Sequence, residues 1–462
     1  MKKYIRIAAL IYVIVSVGFA LFWMFTGGGK GVKGLVVEGY FYQTDAKPVM
    51  QGNHYHSKSK RTTSYTTSTL KRVLPWQWKE RNENSYILDI MKGESFCGGN
   101  FTGYDGKFAQ LTNAIIDPSR GQGRRGGENI SEVLNQPEEN EYYILQSGYF
   151  KLNCKKKIHY NFNSNSHLGQ WINVLNTTVE NPAYKVTYNS WTIAVKRYEY
   201  VNLYHTMTDF YNAFLVSKAF KMQPGNITIL WIDGHPSGTL DTTWKTLFGP
   251  ILRAGYIQQP SMFNHMIWGI MGYDSPLNMH DSKNVPYLEE FRFFFLSRHN
   301  IPTKSELNCT KLKIMFLWRR DYVAHPRNPS GSVSRKIKNE KELLDSAMKH
   351  FVGDDVFGIQ IDKLDMKNQL KLIANVDILI GMHGAGLSHT LFLPKHAGLI
   401  ELYPTYWSNA NTHFKAMARW RNLHYLSWNN IDRMKELANK YTIVDVEAVT
   451  GLIGKMKRNI CR

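Results

Sequence analysis

Residues 377–403 constrain this chain more than any other stretch, because they read without interruption as strand, tight turn, helix start and second strand. Ile378, Leu379 and Ile380 form a short continuous apolar run, the pattern of a strand buried on both faces. Gly381, Gly384 and Gly386 then break it. Glycines there let the backbone approach a ligand closely, and the N–H groups of residues 385–388 fall at the positive end of the expected helix. Such a corner suits a diphosphate, which makes His383, Gly384, Ala385 and Gly386 candidate diphosphate or ribose contacts. Leu399, Ile400 and Leu402 give the next buried strand, and Glu401 sits near its carboxyl end, where open parallel sheets bind ligands. A carboxylate there can accept from ribose hydroxyls. Taken alone, a Gly-x-Gly turn is a weak signal, and tight strand-to-helix packing beside a solvated His383 explains these residues equally well.

The rest of the chain decides between those readings. Residues 192–195 are an apolar strand, and residues 203–221 an amphipathic helix that Asn202 can cap. His205 and Asp209 are four apart and so share one face near the start of that helix. A buried strand at 227–232 ends at Asp233-Gly-His235, and 239–248 is helical. A second alternation starts after Cys309. A strand at 314–318 ends at Arg319-Arg320; Asn339 heads a helix with Glu342 in capping-box position; a strand at 356–361 and a helix at 366–375 lead into the 377–403 stretch. A helix after Asn411, a strand at 424–428 and a last amphipathic helix complete an α/β series. Arg320, at a strand's carboxyl end, and Arg335, just before a helix, are the arginines placed to meet a ligand at the sheet edge, with Arg319 facing the other way.

Lys2, Lys3 and Arg6 precede an uncharged, mostly apolar run over residues 7–25, which as a helix would be about 28 Å long, close to the hydrocarbon thickness. Phe22-Trp23-Met24-Phe25 offers no small-residue cleavage site, so an uncleaved anchor is expected. The positive-inside rule then leaves a short cytoplasmic tail (1–6) and puts everything after the span in the lumen. Residues 26–90 are expected to form a stem. The sequons at Asn100, Asn129, Asn176, Asn226 and Asn308 agree with luminal exposure. Cys97, Cys154, Cys309 and Cys461 lack Cys-x-x-Cys spacing, which argues against zinc and for two disulfides; Cys309 with Cys461 is the favoured pairing because both flank the C-terminal domain. A net charge of +20 calls for an anionic partner. Nucleic acid is set aside, since no basic-aromatic recognition module accompanies the charge.

The blocks Trp191-Thr-Ile-Ala-Val-Lys-Arg-Tyr-Glu-Tyr-Val-Asn-Leu-Tyr-His-Thr-Met-Thr-Asp-Phe-Tyr, Trp231-Ile-Asp-Gly-His, Phe316-Leu-Trp-Arg-Arg-Asp-Tyr-Val-Ala-His-Pro-Arg and Gly381-Met-His-Gly-Ala-Gly-Leu-Ser-His together resemble glycosyltransferase family 61. The likeness runs over roughly residues 191–418 and is strongest to the branch that adds xylose to N-glycan cores. Met382 stands where alanine is expected, a departure that leaves the backbone role intact. The resemblance implies an α/β fold of two Rossmann-like domains of GT-B type behind the anchor and stem, with an acceptor-side domain at 91–305 and a nucleotide-sugar-binding domain at 306–462. It implies a single-pass type II Golgi enzyme that transfers xylose from UDP-xylose, with inversion, to the 2-hydroxyl of the core β-mannose of an N-glycan.

Inverting transfer needs a base for the acceptor proton, positive character for the departing diphosphate, and exclusion of water. Asp209, with His205, is the candidate base. Asp-x-Asp spacing is missing from the chain, so no tightly bound cofactor and no divalent metal is expected, and arginines with helix N–H groups must hold the diphosphate. The family pattern matches Arg320, Arg335 and Asn339 as donor contacts; Asp233 and His235 are expected to shape the acceptor cleft or simply to form a turn. Two rivals stand beside this reading: a family member using UDP-N-acetylglucosamine on protein or O-mannosyl acceptors, and a luminal carbohydrate-binding protein without chemistry.

Overall fold

The computed structural model describes residues 85–162, 166–180, 182–407 and 409–462. The expected tail, membrane span and stem up to residue 84 lie outside the described residues. Among those described, no helix is long and apolar enough to cross a membrane. The end of the expected stem is built into the fold: Ser85–Ile90 is helical and Ile90 is buried in the core.

A nine-stranded sheet among the described residues comprises β1 (Gly93–Phe96), β2 (Phe101–Tyr104), β3 (Phe108–Ile116), β4 (Phe150–Asn153), β5 (Leu175–Thr178), β6 (Val186–Val195), β7 (Thr228–Trp231), β8 (Ile251–Arg253) and β9 (Ser261–Trp268). Its order is β1-β2-β3-β9-β6-β7-β8, with β4 beside β3 and β5 beside β4. Strands β9, β6, β7 and β8 run parallel, whereas β1, β2, β3 and β4 add to them in antiparallel fashion through β3. This corrects the expectation of a Rossmann-like first domain: half of its sheet is a meander whose glycines and polar residues give no long apolar run.

The second sheet is the doubly wound one. Its strands β10 (Lys313–Leu317), β11 (Asp355–Ile359), β12 (Ile378–Met382), β13 (Gly398–Tyr403) and β14 (His424–Asn429) are all parallel, in the order β11-β10-β12-β13-β14. The order reverses between β10 and β12. That position, at the carboxyl ends of the strands, is where such sheets leave a crevice.

The principal helices are α1 (Leu203–Ala219), α2 (Leu288–Arg298), α3 (Glu340–His350), α4 (Met366–Ile373), α5 (His413–Trp420) and α6 (Val446–Ile460). The Asn202 side chain accepts from the N–H groups of Tyr204 and His205 and so starts α1 as expected. Asn339 does not cap α3 through its side chain; its amide instead donates to the Val444 carbonyl at 2.8 Å and accepts from the Val444 N–H at 2.9 Å. The helix expected after Gly384 is a run of 3₁₀ turns, Ala385–Phe392.

Packing explains why the two sheets stay together. One face of the first sheet is covered by a cluster around Phe150, Trp171 and Trp268, and the outer face of the second by residues of α3 and α6 such as Leu343 and Ile453. Between them a single apolar cluster joins α1 and α2 to α4, α5 and the turns after β12, with Phe295 and Phe392 rings 4.6 Å apart. Arg421 fastens the same junction, binding Glu289 at 2.6 Å and the Leu391 and Leu393 carbonyls at 2.9 Å. Cys309 is bonded to Cys461, the favoured pairing, and Cys97 to Cys154. Of the sequon asparagines, Asn129, Asn176, Asn226 and Asn308 are exposed, while Asn100 is half-buried with its amide on the Asn153 carbonyl at 3.1 Å.

Candidate active site

At the reversal of strand order a cleft partly open to solvent runs between the two sheets. Leu317, Arg319, Gly384, Gly386 and His389 line it from the second sheet, and Val201, Leu203 and Leu240 from the first. The glycine turn therefore lies where residues 377–403 put it. Gly384 is extended and needs no special backbone conformation; its requirement is space, because a Cβ there would collide with the Arg319 guanidinium.

Both adjacent arginines border the cleft, but they differ in burial and in partners. Side chains alternate along a strand. Phe316 and Trp318 stack 5.1 Å apart on the outer face, and Trp318 fills the space a Gly358 side chain would occupy. Leu317 faces the inner core, and Arg319 follows it toward the glycine turn, its Nε donating to the Ser334 carbonyl at 3.1 Å. Arg320 is an exposed rim residue, paired with Glu340 at 2.9 Å. Arg335 is only 5 % exposed and adopts a left-handed φ of 61°, a conformation a long side chain enters only when its surroundings impose it. Its backbone N–H donates to the Tyr406 hydroxyl at 3.1 Å, and its guanidinium lies 4.0 Å from the Trp407 ring centre.

His383 donates or shares its Nδ1 proton with Glu401 at 2.6 Å, and Tyr425 donates to the other carboxylate oxygen at 2.9 Å. Glu401 is fully buried, and burial pushes its carboxyl up to about 7. The ribose contact expected of Glu401 is thus replaced by a positioning role: the carboxylate fixes the ring of His383. Burial, reinforced by Arg335 and Arg319, holds that imidazole down at about 3, so it is neutral near pH 7. Asn339, with both amide atoms on Val444, is likewise structural rather than a donor contact.

The His383 ring neighbours His413 at 5.6 Å, and His413 in turn meets Tyr204 of α1 at 4.7 Å and His280 at 4.4 Å. His413 is held at about 3 by burial and by the surrounding His280, His383, His205 and Arg335. The start of α1 is thereby brought against the second sheet's strand ends. His413 Nδ1, Trp407 Nε1 and His389 Nε2 are buried without a partner among the described residues. Such atoms are rare in folded proteins and mark places where a ligand or water completes the bonding.

His205 and Asp209 do not line the cleft; His205 packs on Tyr204, whose ring meets His413. His205 is half-buried and depressed to about 4 by desolvation. Asp209 is 7 % exposed, and its carboxylate has no hydrogen-bond partner among the described residues. Burial raises it to about 8, opposed by Arg197 and reinforced by Asp233. A carboxyl poised there is a strong proton acceptor once ionised.

Asp233 and His235 belong elsewhere. Asp233 takes two hydrogen bonds from Arg197, at 2.7 and 3.0 Å, and Arg197 also reaches Asp241 at 3.1 Å while lying 3.6 Å from the Trp231 ring centre. His235 bonds Glu141 at 2.7 Å through Nδ1 and the Arg197 carbonyl at 3.1 Å through Nε2. Asp233, Arg197, His235 and Glu141 are buried, so the expected acceptor contacts are the joists of the first sheet's edge. Glu141 comes from the polar segment after β3, whose exposed Arg124 donates to Gln136 at 2.9 Å. Sequence reasoning passed over Arg319, His413, Trp407 and Tyr204. Strand alternation carried the signal for Arg319; the others are joined only by the tertiary fold.

Among proteins of known activity, the chain is 26% identical over 355 residues to beta-1,2-xylosyltransferase RCN11 of Oryza sativa subsp. japonica, covering 68% of this chain and 66% of the relative. It is 28% identical over 274 residues to the beta-1,2-xylosyltransferase of Arabidopsis thaliana, covering 51% and 50%. It is 29% identical over 262 residues to the EGF domain-specific O-linked N-acetylglucosamine transferase of Drosophila melanogaster, covering 54% and 47%. The chain thus spans about half to two thirds of the length of these relatives. The family model described as glycosyltransferase 61 matches residues 203–400, from the first residue of α1 into β13, which takes in α1, the strand-end arginines and the glycine turn. Residues 203–400 of the chain thus carry a glycosyltransferase 61 domain.

Proposed function

We propose that the chain is an inverting xylosyltransferase that moves xylose from UDP-xylose to the 2-hydroxyl of the core β-mannose of N-glycans, its two sheets serving as the acceptor and donor halves of a GT-B-type enzyme. The observation that carries this reading is the cleft at the strand-order reversal, where Arg319 and the Gly384 turn face α1. The donor's diphosphate lies against the Arg319 guanidinium and the Gly384–Gly386 backbone, with Arg335 supplying further positive charge behind His383. Asp209, ionised, removes the proton from the acceptor hydroxyl as that oxygen attacks the anomeric carbon. The bond from that carbon to the β-phosphate oxygen breaks, UDP leaves with the electron pair, and the configuration inverts. Buried guanidinium groups meet the developing charge in a site of low polarity, where they act most strongly. On this reading transfer needs no divalent cation, and the protein sits in the Golgi membrane through residues 7–25, lumen-facing, as a type II protein.

The test is mass spectrometry of a defined N-glycan incubated with the purified protein and UDP-xylose in the presence of EDTA. A pentose increment on the core mannose is expected; turnover with UDP-N-acetylglucosamine alone would replace the xylose reading with the second one. That second reading, transfer of N-acetylglucosamine to protein, is kept because the EGF domain-specific transferase of Drosophila is as similar in identity as the xylosyltransferases.

A further inference from the structure

We propose that Tyr198 and Tyr273 form an aromatic shelf that binds a neutral pyranose ring of the acceptor glycan beside the candidate base on α1. Tyr198 is 65 % exposed and Tyr273 50 %, and their rings stand edge to face with centroids 5.0 Å apart at 73°. What sets this pair apart from the other exposed tyrosines is that the two rings pack on each other, offering a joint apolar surface beside the candidate base.

The position is what gives the pair its meaning. Tyr273 belongs to the single 3₁₀ turn Gly272–Asp274, which follows β9 and lies directly on α1. A Cβ on Gly272 would lie 2.7 Å from the Asp209 carboxylate and 3.2 Å from the Thr208 hydroxyl, so glycine is what lets the turn come this close. The Tyr273 ring is 6.1 Å from the ring of His205. Tyr198 lies in the short segment between β6 and α1, so both tyrosines flank the same stretch of helix.

The shelf is also held in place by the helix it flanks. Asn212 of α1 donates to the Met271 carbonyl at 2.9 Å, Asn278 donates to the Gly272 carbonyl at 2.8 Å, and Tyr204 of α1 donates to Asn278 at 2.8 Å. A preformed surface spends less of its binding energy on ordering. Two tyrosine rings match the C–H face of one sugar, whereas a stable protein partner needs on the order of 1,000 Å².

This inference rests on the transferase reading above and adds where the acceptor sits. The full chain is assayed with UDP-xylose and a purified trimannosyl-chitobiose glycan, and direct glycan binding is followed by calorimetry. Tyr198→Ala, Tyr273→Ala and the double variant are expected to raise the acceptor KM by about tenfold or more and weaken glycan binding in parallel, while the donor KM stays within about twofold; each truncation removes a ring worth about 1–2 kcal/mol. Tyr273→Phe, which keeps the ring, is expected to recover most of the acceptor affinity. Folding of each variant is checked by its melting temperature. An acceptor KM and glycan affinity unchanged in the double variant would overturn the shelf alone, as would equal losses in donor and acceptor KM. A wild-type protein that neither binds nor modifies the glycan would instead overturn the transferase reading and the shelf's ligand with it.

Discussion

The guanidinium of Arg319 lies over the α-carbon of Gly384, close enough that the glycine cannot acquire a side chain without moving it. One surface is therefore made from the carboxyl ends of two neighbouring strands, β10 and β12, at the point where the strand order reverses. Arg320, one residue on, looks outward to Glu340.

That asymmetry separates the two arginines experimentally. Arg319→Ala is expected to lower kcat/KM about 100-fold, the usual loss of one preorganised charge donor, with a raised UDP-sugar KM. Arg320→Ala should change it no more than about threefold, since an exposed ion pair contributes at most about 1 kcal/mol. Gly384→Ala should fall between them. Equal losses at Arg319 and Arg320 in steady-state kinetics with varied donor would contradict the placement.

How far the chain could be read before folding follows from the same strand. The period of apolar residues located β10, β12, β13 and the turn, and Asn202 announced the start of α1. Alternation says that Arg319 and Arg320 point to opposite faces, yet both faces of a buried parallel strand are apolar, so composition cannot say which is inner. The antiparallel strands β1 to β3 escaped for a different reason: β1 and β2 are four residues long and each contains a glycine, while β3 mixes polar with apolar residues and joins the parallel half of the sheet only through β9, far along the chain. Asp233 and His235 sit at a strand end as ligand contacts do, and only the arrival of Arg197 and Glu141 from elsewhere in the chain reveals them as structural.

Glu401 and His383 act as one unit if the carboxylate's task is to orient the ring. Glu401→Gln, whose amide oxygen can still accept from Nδ1–H, should lose less than tenfold in kcat, and Glu401→Ala about as much as His383→Ala. The double variant His383→Ala/Glu401→Ala should be no worse than His383→Ala, because coupled residues are not additive. Additive losses, or a donor KM rise confined to Glu401→Ala, would point back to ribose binding.

Asp209 sets the pH dependence. Its carboxyl stands near 8 in the folded chain against 3.8 ordinarily, chiefly through burial, so kcat/KM should climb with pH, reach half its limiting value near 8 and level off above it. Glu401 also titrates, near 7, but the limb should survive Glu401→Gln and vanish with Asp209→Asn, which should itself cost about 1,000-fold in rate. The stability effect has the opposite sense. A carboxyl raised on folding favours the fold most when protonated, below 3.8, and that contribution is lost as pH rises through about 8. Asp209→Asn should therefore melt higher than wild type, by a margin that widens from pH 5 to pH 8 in thermal scans.

Asp233 supplies the contrary case, a carboxylate whose loss should damage the fold and spare recognition. Arg197 is fully buried, with Asp233 taking two of its hydrogen bonds and holding its own carboxyl far below the usual range against the cost of burial. Removing one partner leaves a buried guanidinium with Asp241 as its remaining carboxylate, and breaking such a pair typically costs about 3–5 kcal/mol. Asp233→Ala should accordingly lower the melting temperature and soluble yield sharply, whereas the protein that does fold should keep the wild-type acceptor KM. A well-folded Asp233→Ala protein with a raised acceptor KM would restore the acceptor-cleft reading, because a joist cannot be withdrawn silently while a ligand contact can.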